Sequence, residues 1–241
     1  MSTTAAKILA HLKTVEGERA RRASEAGLSA RVGALKTYQQ RRFSHTYADL
    51  LQSSRYGATS RFFLDELYGP DDFTHRDSQF ARVVPALVRL FPSEIVDTVA
   101  TLAELHALSE TLDTRMAEQL GSETIASLDY VRAWQGTGEA NRRQQQISLT
   151  LDVATRLDGF TRRVLVRNSL RLMRGPARAA GLGELQRFLE AGFDTFRAMN
   201  GAQEFIALVD SRERALASAL FAARLDGADE ASLQRAFAVL P

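Results

Sequence analysis

His106, Glu110 and Asp113 are the residues of this 241-residue chain whose types and spacing could do chemistry together. Their i, i+4, i+7 spacing stacks them in one column on a helix. At about 100° per residue that column falls among Ile95, Val99, Leu102, Ala103, Ala117 and Leu120, the apolar face of the same segment. One segment earlier, Glu66 lies within the arc of Phe62, Phe63 and Leu67. All of these polar groups are expected to point inward, and a buried carboxylate requires a cation, a metal or a proton.

Three chemistries answer that requirement. In the leading one, Arg42, His45 or Arg82 pairs with Glu66, Glu110 and Asp113, and the ion network fixes how the first helices dock. In the second, His106, Glu110, Asp113 and Glu66 supply nitrogen and oxygen ligands to a metal inside a bundle. Di-iron bundles use Glu-x-x-His pairs, and the chain has none. The similarly spaced Asp72-Phe73-Thr74-His75 falls in a turn. In the third, an organic ligand or haem sits against Tyr47, Phe62 and Phe63, with His106 as axial ligand.

A second constellation is basic. Arg156, Arg163, Arg167, Arg171, Arg174 and Arg178 share one stripe if their helix runs unbroken. Such a stripe could neutralise phosphates, but no nucleic-acid motif accompanies it. Net charge is only +2, yet charge is unevenly placed: residues 62–113 hold ten acids and three arginines, residues 139–178 nine arginines and three acids. That polarity offers the stripe a partner within the chain or in a second copy.

The exclusions are firmer. With no cysteine, disulfides, thiolate metal sites and Cys nucleophiles are ruled out. No phosphate-binding glycine loop, His-Glu-x-x-His or Gly-x-Ser-x-Gly elbow is present, so the reading leans away from an enzyme. No run approaches the roughly 20 apolar residues of a membrane helix, and a cytoplasmic protein is expected.

The elements that must position these residues read as helices throughout. Five prolines, fifteen glycines and abundant Ala, Leu, Arg and Glu favour helix, and no alternating strand pattern appears. Helices are expected over 4–24, 29–54, 58–68 (stopped by Gly69-Pro70) and from a Thr74–Asp77 capping box, which opens a helix that Pro85 should kink or break. Others follow over 93–120, 122–135, 140–174, 182–200 and from Phe205, then a short one holding Leu233, Phe237 and Leu240. This is an all-α bundle of about nine to eleven helices. The organisation expected is a loosely docked arm over 1–30, a half with the polar cluster over 31–135 and an arginine-rich half over 139–241, or one continuous domain.

The run Phe62-Phe63-Leu64-Asp65-Glu66-Leu67-Tyr68-Gly69-Pro70, with Asp72-Phe73 and Arg76-Asp77, resembles an uncharacterised family of bacterial all-helical proteins. Phe196-Arg197-Ala198-Met199, Gly201-Ala202 and Arg212-Glu213 are similar to its C-terminal part. The resemblance implies a bacterial source and a helical fold, and no activity. The reading is thus a partner-binding or self-associating helical module without a cofactor. The alternatives are a metal- or haem-binding bundle using His106, and a nucleic-acid or phosphate binder using the arginine stripe.

Overall fold

The computed structural model describes residues 3–67 and 74–227 with Ala231, Phe237, Leu240 and Pro241; the side chains of Glu66, Leu67, His75, Leu90, Val164 and Leu165 fall outside that description. Twelve α-helices and one π turn make up the described residues, which contain no strand. The chain is all-α, as its composition requires.

The first helix, α1 (Thr3–Ser24), follows from Ala5, Ile8, Leu12 and Val15 recurring at helical spacing. All four are buried, and Ala5, Ile8 and Leu12 share a small core with Phe80, Val84, Val88, Val99 and Ala103. The helix is seated lengthwise on α6 (Ser93–Glu118) and α5 (Thr74–Leu90). Each fully buried aliphatic side chain there contributes roughly 1.5–3 kcal/mol. Gly27, at φ 73°, makes the left-handed turn into α2 (Leu28–Thr46). After α2 come α3 (Ala48–Gln52), α4 (Gly57–Phe62) and the π turn Phe63–Leu67. The wide turn lets Phe62, Phe63 and Leu64, three consecutive residues, all be buried. Gln40 Nε2 donates to its Leu64 carbonyl at 3.1 Å.

The remaining helices are α7 (Ser127–Gly136), α8 (Ala140–Thr161), α9 (Val164–Leu172), α10 (Arg174–Ala179), α11 (Gly183–Ala198) and α12 (Gln203–Ala222). Two large apolar cores hold the bundle together. One joins α2, the end of α6, α7 and α12 through Leu35, Tyr38, Met116, Tyr130, Trp134 and Leu220. The other joins the end of α2, the π turn, α8 and the α11–α12 corner through Phe43, Tyr47, Phe63, Ala154, Phe196 and Phe205. Both mix residues from before Gly136 with residues after it.

Several boundaries differ from the sequence reading. The helix expected over 29–54 is divided at Tyr47, and the one over 140–174 is divided twice, which raises the helix number to twelve. Pro85 lies inside α5 without ending it. The helix expected from Ser122 begins at Ser127, where the Asp129 carboxylate accepts the Ala126 N–H at 3.2 Å. The Tyr68–Pro70 stop, Asp72-Phe73 and Leu233 lie outside the described residues.

Candidate functional site: a buried charge network and an arginine-lined cavity

The column on α6 is anchored by cations from α1 and α2. Glu110 is 5% exposed. Its Oε2 accepts from Arg22 Nη1 at 2.5 Å and its Oε1 from Lys36 Nζ at 2.7 Å. Arg22 spends its other donors on the same turn: Nη2 on the Glu110 carbonyl at 2.5 Å and Nε on Thr114 Oγ1 at 2.8 Å. Burial works to raise the Glu110 carboxyl, but Lys36 and Arg22 outweigh it and hold it down at about 2. Glu110 is an ion in the folded protein, with both oxygens engaged by cations.

Asp113, one turn on, differs. It is buried, receives Gln39 Nε2 at a long 3.3 Å, and burial keeps its carboxyl above the usual range despite Lys36 nearby. His106 is half-buried and stands 2.9 Å from Asp77 Oδ2, which also accepts from Arg19 at 2.7 Å. Asp77, expected to cap its own helix, thus ties α5 to α1 and α6. Burial acts to raise the Asp77 carboxyl, and the bonds to His106 and Arg19 bring it below its ordinary value.

Along α2, Lys36, Gln39 and Arg42 form polar rungs facing the interior. Arg42, expected beside Glu110 and Asp113, is instead joined to Glu213 of α12. Its Nη1 meets Glu213 Oε1 at 2.5 Å, and Tyr47 OH donates to the same oxygen at 2.9 Å. Burial disfavours the charged guanidinium, yet the Glu213 carboxylate more than offsets it and its pKa is raised. His45 and Arg82, the other expected cations, are exposed. Glu66 falls in the π turn, and its side chain lies outside the described residues.

Between the two large cores lies a cavity of about 70 Å³. Gln39 and Arg42 of α2, Tyr130 and Trp134 of α7, Arg143, Gln146 and Thr150 of α8, and Glu213 of α12 supply its polar lining. Arg143 is 3% exposed, donates Nη1 to Gln146 Oε1 at 3.0 Å and lies 4.3 Å from the centre of the Trp134 ring. A haem does not fit this volume, and His106 does not line it. Nor does the column fit a metal: cations hold Glu110, Asp77 holds His106, and no group of three His, Cys, Asp or Glu among the described residues could hold an ion.

The arginine stripe is broken by the junction at Arg162-Arg163 between α8 and α9. Arg156 pairs with its own Asp152 at 2.9 Å. Arg163 grips Glu94 at the start of α6 with two bonds of 2.6 and 2.9 Å, so part of the expected attraction between acidic and basic halves is internal. Arg174 pairs with Glu190 at 2.6 Å. Arg171 and Arg178 are exposed, beside Leu172 at 78% and Met173 at 45%.

Arg22, Lys36, Arg143, Tyr130, Trp134, Asp158 and Glu213 were not read as site residues in the sequence. Asp158 is buried: it accepts from Arg162 at 2.7 Å and from the Ala202 N–H at 3.0 Å, seating the start of α12. A helical ladder carried on from Ile8, Leu12 and Val15 reaches Arg19 and Arg22, a signal that would have found both.

Among the described residues, no helix is long and apolar enough to cross a membrane. Neither the curated proteins nor the solved structures include a match to the chain. One family profile does match, over residues 18–227, from α1 to the turn after α12. A match over that much of the sequence settles the relationship: the chain belongs to the family described as Domain of unknown function (DUF8198).

Proposed function

We propose that the protein is a partner-binding module whose contact surface is the α9–α10 ridge, and that its partner is a protein presenting an acidic, amphipathic segment. The observation that carries this is the exposure of Leu172 and Met173 within a stretch, residues 162–178, that holds six arginines and no acid. Large apolar side chains in solvent, rimmed by charge, are typical of interaction surfaces. The Arg167 guanidinium is pushed below its ordinary pKa, first by partial desolvation and then by Arg171 and Arg197, which marks crowded positive charge along the ridge.

Charge selects among occupants. A symmetric dimer through this ridge would set arginines against arginines, and like charges face to face are costly. A phosphate backbone would satisfy the arginines but gain nothing from Leu172 and Met173. An acidic helix with an apolar stripe engages both.

The test is fluorescence anisotropy of a labelled Glu/Leu amphipathic peptide titrated with the full chain. Micromolar binding that weakens with salt is expected, and Leu172→Asp should abolish it without moving the unfolding midpoint. Duplex DNA and sedimentation of the protein alone run alongside. No peptide binding at low salt would overturn the proposal, as would DNA binding indifferent to Leu172→Asp or a dimer lost in that variant.

A further inference from the structure

The cavity between α2, α7, α8 and α12 lies away from that ridge and has a chemistry of its own. Three of its lining residues carry a buried polar atom with no hydrogen-bond partner: Arg42 Nε, Tyr130 OH and Trp134 Nε1. Their residues are 7%, 0% and 7% exposed. Buried polar atoms without partners are rare, and each costs free energy unless a guest or water answers it. Arg42 Nε and Trp134 Nε1 can only donate and Tyr130 OH can do so too, so one acceptor would answer all three.

Charge gives the same answer. Two guanidiniums, Arg42 and Arg143, line the space against one carboxylate, Glu213. Glu213 Oε1 is already engaged by Arg42 and Tyr47. Gln39, Gln146 and Thr150 are the other polar residues of the wall, and the remainder is apolar, including Phe43, Phe63, Leu151, Phe205 and Val209. At roughly 10–15 Å³ of such space per water, the cavity holds about five small groups.

We propose that this cavity is a binding site for a small organic carboxylate. Its oxygens accept from Arg42, Tyr130 and Trp134, and its short hydrocarbon end lies against Phe63, Leu151 and Val209. An inorganic oxyanion would satisfy the donors but waste the apolar wall; a neutral hydrocarbon would do the reverse.

Trp134 is the single tryptophan of the chain, so its emission reports on the cavity directly. The full-length protein is titrated with butyrate, with phosphate and with butanol, following Trp134 emission and the unfolding midpoint. Butyrate is expected to give a saturable emission change and a rising midpoint, with phosphate and butanol much weaker. Tyr130→Phe removes a partnerless hydroxyl and keeps the ring, so it should fold at least as well as the parent. It should bind butyrate about tenfold more weakly, the loss expected for one hydrogen bond to a charged group. A butanol response equal to that of butyrate would overturn the anion assignment. Phosphate binding as tightly would overturn the organic one. No response to any probe, meaning a cavity that holds water only, would overturn the site. Unchanged butyrate affinity in Tyr130→Phe would remove the donors from the account.

Discussion

Replacing Arg22 by methionine removes the cation that joins α1 to the middle of α6 while keeping much of the side chain's apolar stem. Three hydrogen bonds disappear, and the buried Glu110 keeps only Lys36 as counter-ion. Stripping one partner from a buried pair costs about 3–5 kcal/mol when the remaining charge stands alone. With Lys36 still in place, about 2–4 kcal/mol is expected, measured by urea unfolding near neutral pH. Glu110→Gln supplies the second edge of a double-mutant cycle, and a coupling of about 1.5–3 kcal/mol should separate the pair from its surroundings. Acid adds an independent check. The folded protein holds the Glu110 carboxyl at about 2 rather than 4.5, so the unfolded chain binds its proton first as pH falls. The stability this residue adds is therefore complete above about pH 4.5 and is lost progressively as pH drops toward 2. The displacement is worth roughly 3 kcal/mol, and Glu110→Gln should flatten that part of the stability–pH curve. A loss below about 1 kcal/mol for Arg22→Met, with acid sensitivity unchanged in Glu110→Gln, would refute the network as a lock on α1.

Two further outcomes test the packing around it. His106→Ala leaves Asp77 bonded to Arg19, so thermal unfolding should show a loss of only about 0.5–1.5 kcal/mol. Gly57→Ala would place a Cβ 2.7 Å from the Leu51 carbonyl oxygen, backbone that cannot step aside cheaply, and should cost about 1–3 kcal/mol in the same assay.

How far the sequence carried depends on the distance over which each feature is decided. Helical periodicity is local, so the all-α fold and the inward facing of Glu110 and Asp113 could be read directly. Their partners could not, because Arg22 lies 88 residues from Glu110 in the chain and no spacing rule selects among 28 arginines. Arg42 was read as a buried cation, but its carboxylate, Glu213, comes from the far end of the chain, 171 residues away. The break that divides the arginine stripe falls at Arg162-Arg163, just past Asp158-Gly159, where the sequence suggests a bend but not an end to the helix. It coincides with a local pair, Arg162 to Asp158 four residues back, and with a tertiary one, Arg163 to Glu94, which exists only once α6 and α8 are side by side. The cavity was illegible for the same reason: four helices must be assembled before Tyr130, Trp134 and Arg42 surround one space.

The π turn at Phe63–Leu67 makes the length of that segment matter more than most of its letters. Phe62 stacks on Phe188 at 5.6 Å between ring centres, while Phe63 meets Phe196 and Phe205 at 5.8 and 5.9 Å. In a regular α-helix, neighbouring residues are about 100° apart and Leu64 would swing further still, away from the interior. The extra residue held in the wide turn absorbs that rotation. Asp65 is exposed, so its identity is free to vary. Its deletion, by contrast, would collapse the turn to α and rotate everything downstream by most of a third of a turn. One missing codon there would do more damage than many substitutions, because it would change the phase of the helix rather than one of its side chains.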